Sequence, residues 1–305
     1  MRLLSKRLAP LLVCGLVLTG YAQEPKLTAP APVPAAKKAI FWKVSSPTSV
    51  TYLLGSIHLG SRDMYPLPGE IEDAFASSSV LLVEADIRHV DMARMQAAIF
   101  AKGMYPEGDS LWSHISSDTR GKLEQFCERY QFPTEFLARL KPWVVSLTIS
   151  TVPLIKAGFD PNLGIDMYFL NKAGDKRIVE IESADWQIDL LSGFAPDLQE
   201  KLLAASAEEG LDMQASLKRM QEAWAAGDTG KLEAITKEST RTPEAITRAL
   251  LQDRNPHMAD AAETCLKGKE QAFLVVGAAH MVGKEGVPAL LEKRGYKVEQ
   301  VTLKK

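Results

Sequence analysis

Cysteine is scarce in this chain, with three in 305 residues, and no Cys-x-x-Cys pair occurs. A disulfide-dense scaffold is therefore excluded. Other signatures are missing as well. There is no His-Glu-x-x-His and no Gly-x-Ser-x-Gly, so the common zinc-peptidase helix and the serine nucleophile elbow are absent. Gly277 to Lys284 approaches a phosphate loop and fails it, with five residues between the glycines and Glu285 where a hydroxyl would bind magnesium. Basic charge is not in excess, at 36 Lys+Arg against 38 Asp+Glu. Nucleic-acid binding relies on a basic face, so no nucleic-acid partner is expected. After the first residues, no apolar run is long enough to span a membrane as a helix.

What is present begins with a leader. Arg2, Lys6 and Arg7 precede the apolar stretch Leu8 to Leu18, and small residues follow up to Ala22. This is the pattern of a signal peptide, residues 1–22, cleaved after Ala22. Leu11-Leu12-Val13-Cys14 is a poor lipobox, because Val13 stands where a small residue is wanted. Export to the periplasm or outside the cell is expected. Cleavage removes three basic and no acidic residues, leaving 33 Lys+Arg against 38 Asp+Glu. Residues 23–38 carry Pro25, Pro30, Pro32 and Pro34 among alanines and read as an extended linker. Cys127 and Cys265 fall in helix-like stretches and read as separately buried thiols, with a disulfide as the alternative in an oxidising compartment.

The folded part spans 39–305. Phe41–Val44 and Ser49–Leu54 read as paired strands around a Ser-Ser-Pro-Thr turn, and Val80–Val83 as a strand buried on both faces. Ile178–Ile181, Ala272–Val276 and Tyr296–Leu303 are further strands. Helices are expected over Asp91–Lys102, Asp118–Tyr130 with Asp118 as N-cap, Trp143–Lys156 behind Pro142, and Val287–Lys293. A largely helical insertion lies around 195–251, and Asn255-Pro256 reads as a helix start with Asn255 as N-cap. Strands alternate with helices at both ends. The fold class is α/β, a mixed sheet with flanking helices and a helical middle.

One pattern occurs twice. Gly55-Ser56-Ile57-His58 and Gly277-Ala278-Ala279-His280 each follow an apolar run, in a chain with only five histidines. Ligands of α/β sheets bind outside the carboxyl ends of strands. Two imidazoles at two strand ends, with Glu84 and Glu182 at two others, are what a metal or acid–base centre needs. The glycines are expected to let the chain turn sharply, and the duplication points to two related halves. His58, His280, Glu84 and Glu182 are the candidate ligands of a divalent metal (Mn, Co or Zn), with Glu84 as ligand or general base. Arg254 and Asn255 at a helix start are candidates to bind substrate or an oxyanion. His89, His114 and His257 read as surface residues.

These residues resemble the TraB/GumN family, related to the TIKI metalloproteases. The likeness runs through Phe41-Trp42-Lys43-Val44, Tyr52 to Gly60, Pro66-Leu67-Pro68, Leu82-Val83-Glu84, Leu140 to Trp143, Gly164-Ile165-Asp166, Ile181-Glu182 with Gln187, Gly227-Asp228, Arg254-Asn255, Val275 to Gly283 and Gly295-Tyr296. It implies a fold like that of the erythromycin-esterase and ChaN-like group, with the two Gly-x-x-His motifs and a glutamate as the site. It also implies a metal-dependent peptidase acting on a peptide or protein, since TIKI members are described so. Other members are known as inhibitors of peptide-pheromone signalling or as neighbours of polysaccharide-synthesis genes. Three positions depart from the family pattern: Ser56 where Thr is common, Glu180 where a small residue is usual, and His257-Met258 where Trp is common. A metal-independent His/Glu esterase or amidase, and a protein that binds peptide without cutting it, stand as alternatives.

Overall fold

The computed structural model describes residues 38–211, 213–238 and 243–303. The signal peptide, Cys14 and all but the last residue of the linker lie outside the described residues.

Six strands form one mixed sheet: β1 (Lys38–Ser45), β2 (Val50–Ser56), β3 (Val80–Val83), β4 (Arg177–Glu180), β5 (Ala272–Gly277) and β6 (Lys297–Thr302). Their order is β4-β3-β5-β2-β1-β6. β4, β3, β5 and β2 are mutually parallel, while β1 runs antiparallel to both β2 and β6. The central strands β3 and β5 are buried at every residue, as continuous apolar runs covered on both faces must be. The edge strand β6 has only exposed and half-buried positions. The parallel block has a direct consequence for function, because four consecutive strands end at the same edge of the sheet.

Twelve helices accompany the sheet among the described residues: α1 (Gly69–Ser77), α2 (Met92–Gly103), α3 (Ser117–Tyr130), α4 (Pro142–Lys156), α5 (Ile165–Asn171), α6 (Ala184–Ser192), α7 (Pro196–Leu211), α8 (Met213–Ala225), α9 (Thr229–Glu238), α10 (Glu244–Thr247), α11 (Asn255–Lys267) and α12 (Val287–Lys293). A π-helical turn, Arg248–Gln252, links α10 to α11. The sheet packs with α1, α5, α8, α9, α11 and α12 into one apolar cluster, centred on Phe41, Phe75, Phe169 and Phe273. A second cluster joins α2, α3, α4, α6 and α7 around Phe126, Trp143 and Leu203.

The helices expected around 195–251 divide between the two clusters. α7 belongs to the second cluster, whereas Ala223 and Trp224 of α8 and Leu232 and Ile235 of α9 pack on the sheet. Met92–Lys156, inserted between β3 and β4, supplies most of the second cluster. Two N-caps also differ from expectation. Ser116, not Asp118, caps α3, its hydroxyl accepting from Thr119 N–H at 3.2 Å. Asn255 does not cap α11, because its side chain is committed elsewhere. Cys127 and Cys265 lie in different clusters and both are free thiols. Burial pushes Cys127 up to about 11 and Cys265 upward as well. No helix among the described residues is long and apolar enough to cross a membrane.

Candidate active site

The neighbouring strands β2, β5, β3 and β4 deliver His58, His280, Glu84 and Glu182, in that order, to one edge. Glu84 lies at the middle of the cluster. Its Oε1 is 4.0 Å from His58 Nε2 and 4.0 Å from His280 Nε2, and it accepts the Gly277 N–H at 2.7 Å. The two Gly-x-x-His motifs sit one register apart, with Gly55 opposite Val276 and Ser56 opposite Gly277. Neither glycine makes the expected sharp turn. Gly55 lies within β2, and Gly277 ends β5 at φ −49°, ψ 139°. Gly277 instead keeps space open. A Cβ there would stand 3.0 Å from His58 Nε2, 3.4 Å from Glu84 Oε1 and 3.5 Å from His280 Cδ2. Any larger residue would fill the volume that the three groups surround.

Each imidazole is held by its other nitrogen. His58 Nδ1 donates to Asp166 Oδ2 at 2.8 Å, and the Ser56 hydroxyl donates to the same carboxylate oxygen. Asp166 belongs to the first turn of α5, and a close backbone crossing brings it there. Ile165 N–H donates to Ile57 O at 3.1 Å, and a Cβ on Gly164 would lie 2.2 Å from His58 O. His280 Nδ1 donates to Asn255 Oδ1 at 2.6 Å, while Asn255 Nδ2 donates to Glu285 O at 2.7 Å. With both Nδ1 atoms donating, both Nε2 atoms turn to Glu84. Tethers of this kind orient metal-binding histidines.

Arg254 closes the other side. Its Nε and Nη2 form a fork on Glu182 at 2.8 and 2.7 Å, Nη2 also donates to Glu84 Oε2 at 2.6 Å, and Nη1 donates to Leu250 O of the π turn at 2.9 Å. Gln187 Nε2 adds a bond to Glu182 at 3.2 Å. Glu182 thus spends both oxygens on Arg254. Glu180, the other acid of β4, accepts the Asp86 N–H at 2.5 Å and braces the loop after β3.

Charge is distributed unevenly. The Asp166 charge raises His58 to about 9, against the lowering effects of burial and of Arg254. The His58 side chain is 55% exposed, so solvent screening weakens both the Asp166 pull and the cost of burial. Burial lowers His280 to about 4, with Glu84 opposing, and the ring is neutral at pH 7. Burial works to raise Glu84, but His280, His58, Arg254 and the Gly277 N–H outweigh it and hold the carboxyl at about 2.

The donor set suits a divalent metal in kind. It has two imidazole Nε2 atoms with tethered Nδ1 atoms, one carboxylate oxygen, and a glycine that leaves the space between them free. Among the described residues, no three His, Cys, Asp or Glu groups already stand at ligation spacing. The 4.0 Å separations exceed the roughly 3.3 Å between two atoms on a tetrahedral zinc, so side chains would draw inward. His89, His114 and His257 are exposed and remote from this cluster in role; the first two pair with Asp86 and Asp109.

Fold and site together define an α/β protein with a two-histidine, one-glutamate centre at the carboxyl edge of a parallel-cored sheet. The chain belongs to the TraB/PrgY/gumN family, whose sequence profile matches residues 40–300. It is similar to the "Uncharacterized protein YbaP" of Shigella flexneri, 25% identical over 245 residues that cover 79% of this chain and 87% of that protein. The Escherichia coli (strain K12) protein of the same name is 25% identical over 244 residues, with the same coverage of 79% and 87%. An "Uncharacterized protein" of Treponema pallidum (strain Nichols) is 24% identical over 271 residues, 85% of this chain and 81% of its own. No solved structure matches the chain.

Asp166 is absent from the sequence-derived site. It lies 108 residues from His58, and the only signal was its place in Gly164-Ile165-Asp166, a stretch shared with the family.

Proposed function

We propose that this chain is an exported hydrolase that cuts a peptide bond with the help of a divalent metal, Mn, Co or Zn, held by His58, His280 and Glu84. One observation carries the reading: two imidazoles with tethered Nδ1 atoms turn their Nε2 atoms on one carboxylate oxygen around a glycine. A bound metal would supply Lewis acidity and lower the pKa of a water to about 7. The chain's own residues do the rest. Asp166 and Asn255 fix the tautomer and direction of the two rings. Arg254 engages Glu84 Oε2 and leaves Oε1 for the histidines, and Glu182 holds Arg254. Four of the five Arg254 N–H groups are committed, so its part is to position Glu84 more than to bind substrate. The open His58 side is where substrate would enter, since His280 is buried. The leader-like residues 1–22 support a periplasmic or secreted location.

The test is elemental analysis of metal-free and reconstituted protein, joined to a peptide-library screen with Mn, Co and Zn. About one metal per chain and cleavage are expected, with both lost in His58→Ala and His280→Ala. Full metal content and full activity in both variants would refute the assignment.

A second reading has its own observation, the Asp166–His58 pair with a half-open ring. His58 would then act as acid or base in metal-free ester or amide hydrolysis, and chelators would leave activity unchanged. Ser56 is not the nucleophile of such a pair, because its hydroxyl is directed to Asp166. A chain with neither metal nor cleavage would instead be a peptide-binding protein.

A further inference from the structure

The chain has five tryptophans. Four are buried or half-buried, and Trp186 alone is exposed, at 40%. A half-open indole presents an apolar ring face to solvent. Trp186 also stands at the site. The Arg254 guanidinium that engages Glu84 lies 5.9 Å from the indole centroid, within reach of a cation–π contact. The next residue, Gln187, bonds Glu182.

Its position is firmly set. The Ser183 hydroxyl caps α6 by accepting the Trp186 N–H at 3.1 Å. α6 is tied to α2 by Arg94–Asp185 at 2.7 Å and by Lys102–Asp189. A side chain serving only to shield Arg254 would be covered; this one presents an open apolar face beside the residue that engages Glu84.

We propose that Trp186 forms the wall of a substrate subsite that takes an apolar or aromatic side chain flanking the scissile peptide bond. The proposal rests on the hydrolase reading for its substrate class. The indole face packs against that side chain. Trp186 then sets specificity without taking part in the chemistry.

The test uses blocked alanine pentapeptides carrying phenylalanine, leucine, alanine or aspartate at the centre. Calorimetry gives Kd in the His58→Ala background, where nothing is turned over, with and without Trp186→Ala or Trp186→Phe. Steady-state assays give kcat and KM in the active background. Trp186→Ala should weaken the phenylalanine and leucine peptides about tenfold, leave the alanine peptide unchanged, raise KM and spare kcat. Trp186→Phe should restore most of the loss. Selective weakening of binding without any cleavage by the parent protein would support the subsite and remove the hydrolase reading. Cleavage whose KM ignores residue 186, an equal loss across all four peptides, or no binding at millimolar peptide would overturn the subsite.

Discussion

Along the carboxyl edge of the sheet, charged groups are buried against one another. Glu182 is 4% exposed, Glu84 11% and Arg254 11%, and His280 lies beside them. In the helical body of α2, α3, α4, α6 and α7 the arrangement is reversed. Among the described residues its interior holds apolar side chains and a few neutral polar ones such as Ser146 and Ser206, and its ion pairs, such as Arg120–Glu124 and Lys201–Asp197, sit at the surface. Surface pairs contribute little to stability, whereas a buried charge cluster is costly to desolvate and costly to disrupt. The helical body is thus organised for stability. The sheet edge accepts electrostatic tension in exchange for a preorganised carboxylate between two imidazoles. The two regions meet at the π turn, where Leu250 packs on the helical cluster and gives its carbonyl to Arg254. π turns recur at functional sites.

The largest effect that separates the two regions is expected at Arg254. Arg254→Met keeps volume but leaves Glu84 and Glu182 buried without their cation. Stability should fall by about 3–5 kcal/mol, read from urea midpoints, and the proposed activity should vanish. If stability holds and only activity is lost, the network is weaker than its geometry implies. In that case the contrast in charge burial does not govern stability.

A smaller effect, with the opposite division, is expected at Leu203. This residue is fully buried in the helical cluster, on the helix that packs between α3 and α4. Leu203→Ala should destabilise by about 3 kcal/mol through lost burial and a residual cavity. Peptide cleavage per folded molecule should be unchanged. A variant that also loses metal affinity or turnover would show that the helical body shapes the site.

The sheet edge was legible in the sequence where the chemistry is local. Val80–Val83 and Ala272–Val276 read as buried strands because both faces are covered, and the polar or glycine residue at the close of each apolar run marks a strand end. In the structure His58, Glu84, Glu182 and His280 follow the ends of β2, β3, β4 and β5. Their neighbours were not legible. Asp166 reaches His58 only because two backbones cross at Gly164, and periodicity carries no trace of such a crossing. Asn255 has the composition of an N-cap, yet His280 and Glu285 claim both of its polar atoms. Ser116 and Asp118 are both cap residues, and sequence alone does not rank them. The division of 195–251 between two cores escaped for a related reason: an amphipathic helix shows which face is buried, not what covers it.

The smallest expected effect tests how the helical body uses its few semi-buried charges. Glu200 of α7 accepts the Ser116 N–H at 2.7 Å and the Thr119 hydroxyl at 2.8 Å. It thus serves as a cross-helix cap for the start of α3, where a negative charge also meets the positive end of the helix dipole. Burial works to raise the Glu200 carboxyl, but these bonds to its charged form prevail and lower it. A carboxyl depressed in the folded state contributes stability above its unfolded pKa of about 4.3 and loses it as pH falls through the folded value. Partial exposure keeps the contribution near 0.5 kcal/mol. Glu200→Gln should lower the unfolding free energy from urea titration at pH 7 by that amount, since the amide oxygen still accepts but carries no charge. The gap between variant and parent should close as pH drops below about 4. A gap that persists there would mean that side-chain shape, not charge, holds α7 to α3. The link between α7 and α3 would then owe nothing to an ionised group, sharpening its contrast with the sheet edge.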